Sequence, residues 1–260
     1  MRLSPIAIQI TEVNHKHDKT REKLLPALLA TATAEDLTSP DKEGNTILHM
    51  LAHDGGLRWV PDAIKTETNL SITNPQGDTP IHNALGAGNI SELPPAVVTE
   101  SNLRVKNRVG QTPLQRAAAH NRLKTVPLAC LSREALLERD GNSRNVFDLV
   151  ASMGGIQEIP AKFITLEALI DRPNKTICPM ENLLYFGTIK DLPIFKPYGA
   201  AAYSKEDKLA WIKAIQASNI QVDKDCAKDP DISRVPFDEN LLHIISPEYQ
   251  IAPIGDWATL

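Results

Sequence analysis

Apolar residues recur along this chain in columns set 33 residues apart. Leu57, Ile90, Leu123, Ile156 and Ile189 form one column, Leu51, Ala84, Ala117, Val150 and Leu183 a second, and Ile64, Val97, Cys130 and Phe163 a third. Proline keeps the same register at Pro61, Pro94, Pro127, Pro160 and Pro193, each preceded by an apolar residue (Val60, Leu93, Val126, Ile159, Leu192). Six residues before each proline stand Gly55, Gly88, Asn121, Gly154 and Gly187. Glycine, and asparagine after it, enters left-handed backbone space cheaply, so this column reads as the residue that ends a helix. A fixed period of about 20 to 50 residues marks an array of small supersecondary modules. Each module is expected to hold a turn, a short first helix stopped by Gly or Asn, and an antiparallel second helix whose proline supplies a preset φ near its start. The column Leu70, Leu103, Leu136 and Leu169 then leads into the next turn, NPQG, NRVG, ERDG or DRPN, with Gly or Asn where φ is free to be positive. One module cannot bury its own apolar face, and stacking supplies the missing surface.

The segments GNTILHMLA (44–52), GDTPIHNAL (77–85) and GQTPLQRAA (110–118) resemble the G-x-T-P-L-H-x-A-A signature of ankyrin repeats, at that family's spacing. The Leu-Pro or Val-Pro step and the L-x-x-x-N/D-x-x-G link resemble a variant found in bacterial ankyrin proteins. The resemblance covers about residues 20–195. It implies an all-α ankyrin-repeat solenoid of helix-turn-helix units with N- and C-terminal helical caps. Residues 1–40 are expected to be an N-terminal segment and half-repeat cap, 41–195 about five repeats, and 196–260 a helical C-terminal cap or extension. Leu25-Pro26, Leu29 and Leu37 keep the apolar columns in the first of these, while residues 1–20 carry no assignment. DGNSRNVFDLVA and PNKTICPMENLL each carry about two extra residues between turn and helix and lack the TPLH tetrapeptide, which predicts distorted turns in repeats four and five. After Pro193 the register fails, with Lys196 at an apolar position; SKEDKLAWIKAIQASN (204–219) reads as a longer helix burying Leu209, Ile212 and Ile215, and DENLLHII (238–245) as a last first-helix.

Composition narrows the classes of function. The chain has 260 residues, 42% hydrophobic and 23% charged, enough to bury a core. Only 5% are aromatic against 19 prolines, which suits helices interrupted at intervals. Lys and Arg total 28 against 32 Asp and Glu, a net −4 with pI near 6.0, so the basic excess expected of a nucleic-acid or anionic-membrane binder is absent from the sum. Residues 197–260, with six basic and ten acidic residues, account for that whole excess. No run approaches the ~18 apolar residues of a membrane span, and the opening MRLSPIAIQITEVNHKHDK lacks the sustained apolar region and cleavage site of a secretory signal. Cys130, Cys178 and Cys226 form neither a CxxC pair nor an even framework, which points to a reducing compartment. A cytoplasmic protein is expected, with secretion as a host-directed effector the alternative.

Candidate chemistry is sparse. His49 and His53 stand four apart on a predicted helix, a metal-ligand spacing, but Met50 occupies the place of the Glu that a zinc hydrolase motif needs. The family resemblance instead makes His49 and His82 structural, bonding backbone and the hydroxyls of Thr46 and Thr79. His15 and His17 have no third ligand nearby, Cys130 sits in a core column, and the acidic run 223–231 lacks calcium-loop spacing. Neither a G-x-S-x-G elbow nor a phosphate-binding glycine loop is present. No catalytic residue, cofactor or metal is therefore expected.

Binding residues are sought where one repeat departs from its equivalents. Trp59 interrupts the polar column Glu92, Thr125, Glu158 and Asp191; it is either an interface anchor or a residue covered by 1–20. The position after the signature His holds Met50, Asn83, Arg116, Leu149 and Asn182, expected to line the concave face, with Tyr185 and Phe186 nearby or packed under the C-terminal cap. Turn tips Lys42-Glu43, Pro75-Gln76, Arg108-Val109, Arg139-Asp140 and Arg172-Pro173 vary as a reading surface would. The expected activity is non-catalytic binding of a protein partner through Trp59, Met50, Asn83, Arg116, Arg108, Gln76, Tyr185 and Phe186. The rival expectation is a solenoid that delivers a small catalytic or regulatory module in residues 195–260, although so short a segment is a small core for an enzyme.

Overall fold

The computed structural model describes residues 3–16 and 19–171, with Pro179, Met180 and Leu183. The chain divides into two compact units, Met1–Val146 and Phe147–Leu260. Regular structure among the described residues is helical, apart from one isolated bridge between Pro40 and Thr46.

The first unit begins with a helix that the column pattern did not assign. Ser4 caps α1 (Pro5–Asn14), its hydroxyl accepting the Ala7 N–H at 3.2 Å, and Pro5 stands in the first turn, where its missing N–H costs nothing. Ala7, Ile10, Val13 and Asn14 form the buried face. It packs on α2 (Lys19–Thr31) and α3 (Ala34–Thr38). Leu25, Leu29 and Leu37 are fully excluded from solvent, each burial worth about 1.5–3 kcal/mol. Pro26 lies inside α2 without ending it.

Three repeats follow in strict register. Their opening helices, α4 (Ile47–Asp54), α6 (Pro80–Ala87) and α8 (Pro113–Ala119), pack in order, α4 on α6 and α6 on α8. Thr46, Thr79 and Thr112 cap them, each in a reciprocal box with the third helical residue, His49, His82 or Gln115. The helix-ending column behaves as its residue types dictate, with positive φ at Gly55 (74°), Gly88 (85°) and Asn121 (54°).

The second half of each repeat differs from the expected second helix. A single 3-10 turn (Leu57–Trp59, Ile90–Glu92 or Leu123–Thr125) gives way to an extended residue, Val60, Leu93 or Val126, with ψ of 130°, 141° and 129°. The proline and a further turn then lead into a one-turn helix, α5 (Glu67–Leu70), α7 (Glu100–Leu103) or α9 (Arg133–Leu137). The cause is steric. Proline disfavours the α region for its predecessor, and a helix stop only six residues upstream leaves too short a stretch to nucleate a helix. The apolar columns are buried from Leu57, Ile90 and Leu123 to Leu70, Leu103 and Leu136, but the third is buried only at Ile64 and Val97: Cys130 and Phe163, expected in the core, are half-buried. Thr66, Thr99 and Ser132 cap the one-turn helices, in the register that begins with Thr33 at α3.

The turns between repeats are built on Asn74, Asn107 and Asp140, whose side-chain oxygens each accept two backbone N–H groups within their own turn. Successive turns join through the Arg108 N–H to the Gln76 carbonyl (3.0 Å) and the Gly141 N–H to the Val109 carbonyl (2.9 Å). A Cβ on Gly110 would lie 2.7 Å from the Gly141 nitrogen, so glycine is required there by contact as well as by its φ of 72°. The fourth turn is not distorted: it keeps register, with Ser143 at φ 61° in the place of Gly110 and the next helix starting at Val146. Its tip is therefore Gly141-Asn142 rather than Arg139-Asp140, and Asp140 is buried.

The second unit repeats the sequence of elements through α10 (Val146–Ser152), 3-10 turns at Ile156–Glu158 and Ala161–Phe163, and α11 (Leu166–Ile170) capped by Thr165. Phe147, Val150, Ile156 and Leu169 are buried, and Gly154 has φ 68°. The readings at Pro193, Lys196, 204–219 and 238–245, like the fifth turn, lie outside the described residues.

Candidate functional site

The first repeat fixes its histidine before presenting anything to solvent. The Thr46 N–H donates to Nδ1 of His49 at 3.2 Å, so Nδ1 is the acceptor and the proton resides on Nε2. Nε2 then donates to the Asp78 carbonyl in the next repeat at 2.8 Å. His82 repeats the arrangement through Thr79 (3.1 Å) and the Gln111 carbonyl (3.2 Å). Burial pushes the pKa of both imidazoles below the ordinary histidine value. These side chains are structural, and the cavity beside His49 is lined by what flanks it.

That cavity is a groove of about 790 Å³ in the first unit. One wall comes from the α1 segment, with Leu3, Ile8, Thr11 and His15; the other comes from the turn at 41–45 and from α4, with Met50, His53 and Asp54, and Asn83 of α6 closes it. Met50 and Asn83 are equivalent residues one repeat apart, and Asn83 donates to the His49 carbonyl at 3.1 Å. Ile8 is 46% exposed, an apolar side chain left open on this wall.

A polar chain, exposed at His53 and buried at Asn14 and Arg21, holds the two walls together. His53 Nδ1 lies 2.8 Å from Asp54 Oδ1, while Asp54 Oδ2 accepts from the Asn14 amide at 2.6 Å. Asn14 in turn accepts from Arg21 Nε and Nη2 at 3.1 and 3.0 Å, and Arg21 also donates to the Asp54 carbonyl. The Arg21 guanidinium stands 5.1 Å from the centre of the Trp59 ring, and that of Arg58 stands 4.2 Å away. Trp59 is thus half-buried under α2 and engaged with two cations.

The predicted binding residues do not form one site. Met50 and Asn83 share the groove; Trp59 belongs to the polar chain behind it. Arg116 pairs with the buried carboxylate of Asp78, which also accepts from Asn107 at 2.8 Å. Burial alone raises the Asp78 pKa, but the hydrogen bonds from Asn107 and Arg116 and the Arg116 charge outweigh it and hold the carboxyl below its usual range. Gln76 and Arg108 are exposed together on adjoining turn tips. Leu149 is buried instead of lining a surface. Asn182, Tyr185, Phe186, Cys178 and Cys226 lie outside the described residues. Cys130 donates its thiol to the Val98 carbonyl at 3.1 Å, and burial raises its pKa.

Column comparison missed Leu3, Ile8 and Asn14 because the α1 segment has no equivalent in the repeats, and the Ser4-Pro5 start was the available signal; Arg21 of α2 and Asp54 of α4 were missed with them, because their role comes from bonds to Asn14. Among the described residues no three His, Cys, Asp or Glu side chains converge as a metal group, and no helix is long and apolar enough to cross a membrane. The groove offers apolar surface with hydrogen-bonding groups at its edge, the chemistry of recognition. No protein-family model matches the chain, and no curated protein matches it.

Proposed function

We propose that this chain is a non-catalytic protein-binding module of ankyrin type, which takes an extended segment of a protein partner. The observation that carries the reading is the groove, where the equivalent residues Met50 and Asn83 face Leu3 and Ile8 of the α1 segment. Preformed walls reduce the ordering cost of association. Capping boxes at the same position in three successive repeats and the 33-residue register of turns support the ankyrin assignment. Within this reading Arg108 and Gln76 contribute a second contact at the turn tips, and Arg116 and Trp59 act by holding the scaffold.

Peptide-display selection against the full chain tests it. Enriched peptides should be lost by an Ile8→Glu, Met50→Glu variant whose circular dichroism and melting match wild type. Absence of any enriched peptide would remove the binding-module reading; peptides that the variant retains would remove the groove as their site.

A further inference from the structure

We propose that the link entering the third repeat is a docking ribbon for an acidic protein segment in which carboxylates alternate with apolar side chains. This deepens the protein-binding reading and rests on it. The nearly balanced charge of the whole chain conceals a sharp local imbalance: residues 104–144 hold nine Lys and Arg against three Asp and Glu, while residues 1–103 hold eight against thirteen.

The structure brings part of this excess, Arg104, Lys106, Arg108 and Arg144, onto adjoining segments. Lys106 donates to the Arg139 carbonyl at 3.0 Å, so the 104–109 and 138–144 segments lie side by side. Arg104 and Lys106 share the Glu138 carboxylate at 2.9 and 3.2 Å, and Arg104 also stands 3.6 Å from Glu100. Arg144 pairs with Asp140, whose side chain is only 2% exposed against 49% for the arginine, so the carboxylate is recessed and the cation projects. Arg108 is exposed, and its guanidinium has no partner among the described residues.

Apolar side chains interleave with these cations. In the run Arg104, Val105, Lys106, Asn107, Arg108 and Val109, Val105 is 41% and Val109 62% exposed. Cations alone would attract any polyanion, but two projecting valines between them match carboxylates alternating with apolar groups. A nucleic acid fits less well, because the residues before the ribbon carry a net negative charge and a long polyanion would be repelled where a short segment would end.

Fluorescence anisotropy on the full chain tests the ribbon with three labelled probes: a peptide alternating Glu and Val, one alternating Glu and Ser, and a single-stranded oligonucleotide. The Glu/Val peptide should bind most tightly and weaken as salt rises. An Arg108→Glu, Val109→Ser variant, which keeps the Arg108 backbone bond to Gln76, should lose about tenfold or more in affinity, while Leu24→Ser, at an exposed apolar residue of α2 outside both the groove and the ribbon, should leave it unchanged. Failure of the Glu/Val peptide to bind, equal binding by the ribbon variant, or tighter binding of the oligonucleotide would overturn the proposal. If display selection enriches other peptides while the Glu/Val peptide fails, the ribbon falls and the binding module stands.

Discussion

An apolar residue followed by proline occurs both in the N-terminal cap and in the repeats, with opposite results. Leu25-Pro26 runs through an unbroken α2, whereas Leu93 before Pro94 is extended, with ψ 141°. The difference lies upstream. The helix is already established over Lys19–Leu25 before it meets Pro26, and six residues before that proline stands Thr20. In the repeats the same position is Gly or Asn at positive φ, so only a 3-10 turn fits between the stop and the proline. A proline alone does not divide a helix here; a glycine and a proline six apart do. Both regions rest on buried apolar faces, Leu25 and Leu29 in the cap and Leu51 and Leu85 in the repeats, and the repeats add bonds between stacked turns.

The largest effect should come from emptying the core on either side of that comparison. Leu29→Ala in the cap and Leu85→Ala in α6, both fully buried, should each cost about 2–5 kcal/mol in urea unfolding followed by circular dichroism. Hydrogen exchange sharpens the result. Loss of protection across α4, α6 and α8 in Leu29→Ala would make cap and repeats one cooperative body, and loss confined to α1–α3 would separate them.

The prolines themselves should differ in sign. Pro26→Ala restores a backbone donor inside a helix, where proline costs up to ~3 kcal/mol, and should raise the melting temperature. Pro94 has φ −59°, so Pro94→Ala only frees the unfolded chain and should lower stability by about 0.5–1 kcal/mol. Changes of the same sign would break the comparison. A smaller difference separates two threonine caps. The Thr33 hydroxyl accepts the Asp36 N–H and also donates to the Asp36 carboxylate at 2.6 Å, whereas that of Thr99 makes a single bond to the Asn102 N–H. Thr33→Ala and Thr99→Ala should each cost about 1 kcal/mol, the first more than the second, as thermal melts of both variants would read.

What was legible in the sequence was whatever the period repeated. The apolar columns and the helix-ending residues follow from comparing equivalents, and the structural reading of His49 from the resemblance its segment carries. α1 was not legible, since it has no equivalent, and one wall of the groove went with it. Ser143 was missed because a non-glycine residue at positive φ is uncommon, so the glycine two residues earlier took its place in the reading and an insertion had to be invented. The second helix was misread because proline suits a helix start in isolation, and its effect depends on the glycine before it. Arg116 and Arg108 are equally plausible surface residues in their columns; only the fold brings Asp78 to one and leaves the other open. The basic ribbon disappeared in a sum, because acidic stretches elsewhere cancel it.

The smallest effect is also the most selective, because the buried imidazoles belong to the repeats and not to the cap. His49 and His82 are neutral in the fold, with pKa values lowered first by burial. The unfolded chain titrates near the ordinary value of about 6.5, so on acidification it binds protons before the folded state does. Stability from these residues is complete above about pH 6.5 and is lost as pH falls toward the lowered folded values. Protonation at Nδ1 sets a donor against the Thr46 or Thr79 N–H and opens the capping box. The third repeat supplies the control, since Gln115 accepts the Thr112 N–H at 2.8 Å and donates to the Arg144 carbonyl at 3.2 Å without titrating. A His49→Gln, His82→Gln variant should therefore melt near wild type at neutral pH and lose less stability on acidification. Parallel melting curves down to about pH 5 would mean that the imidazoles do not set the acid sensitivity, and that the repeats and the cap titrate alike.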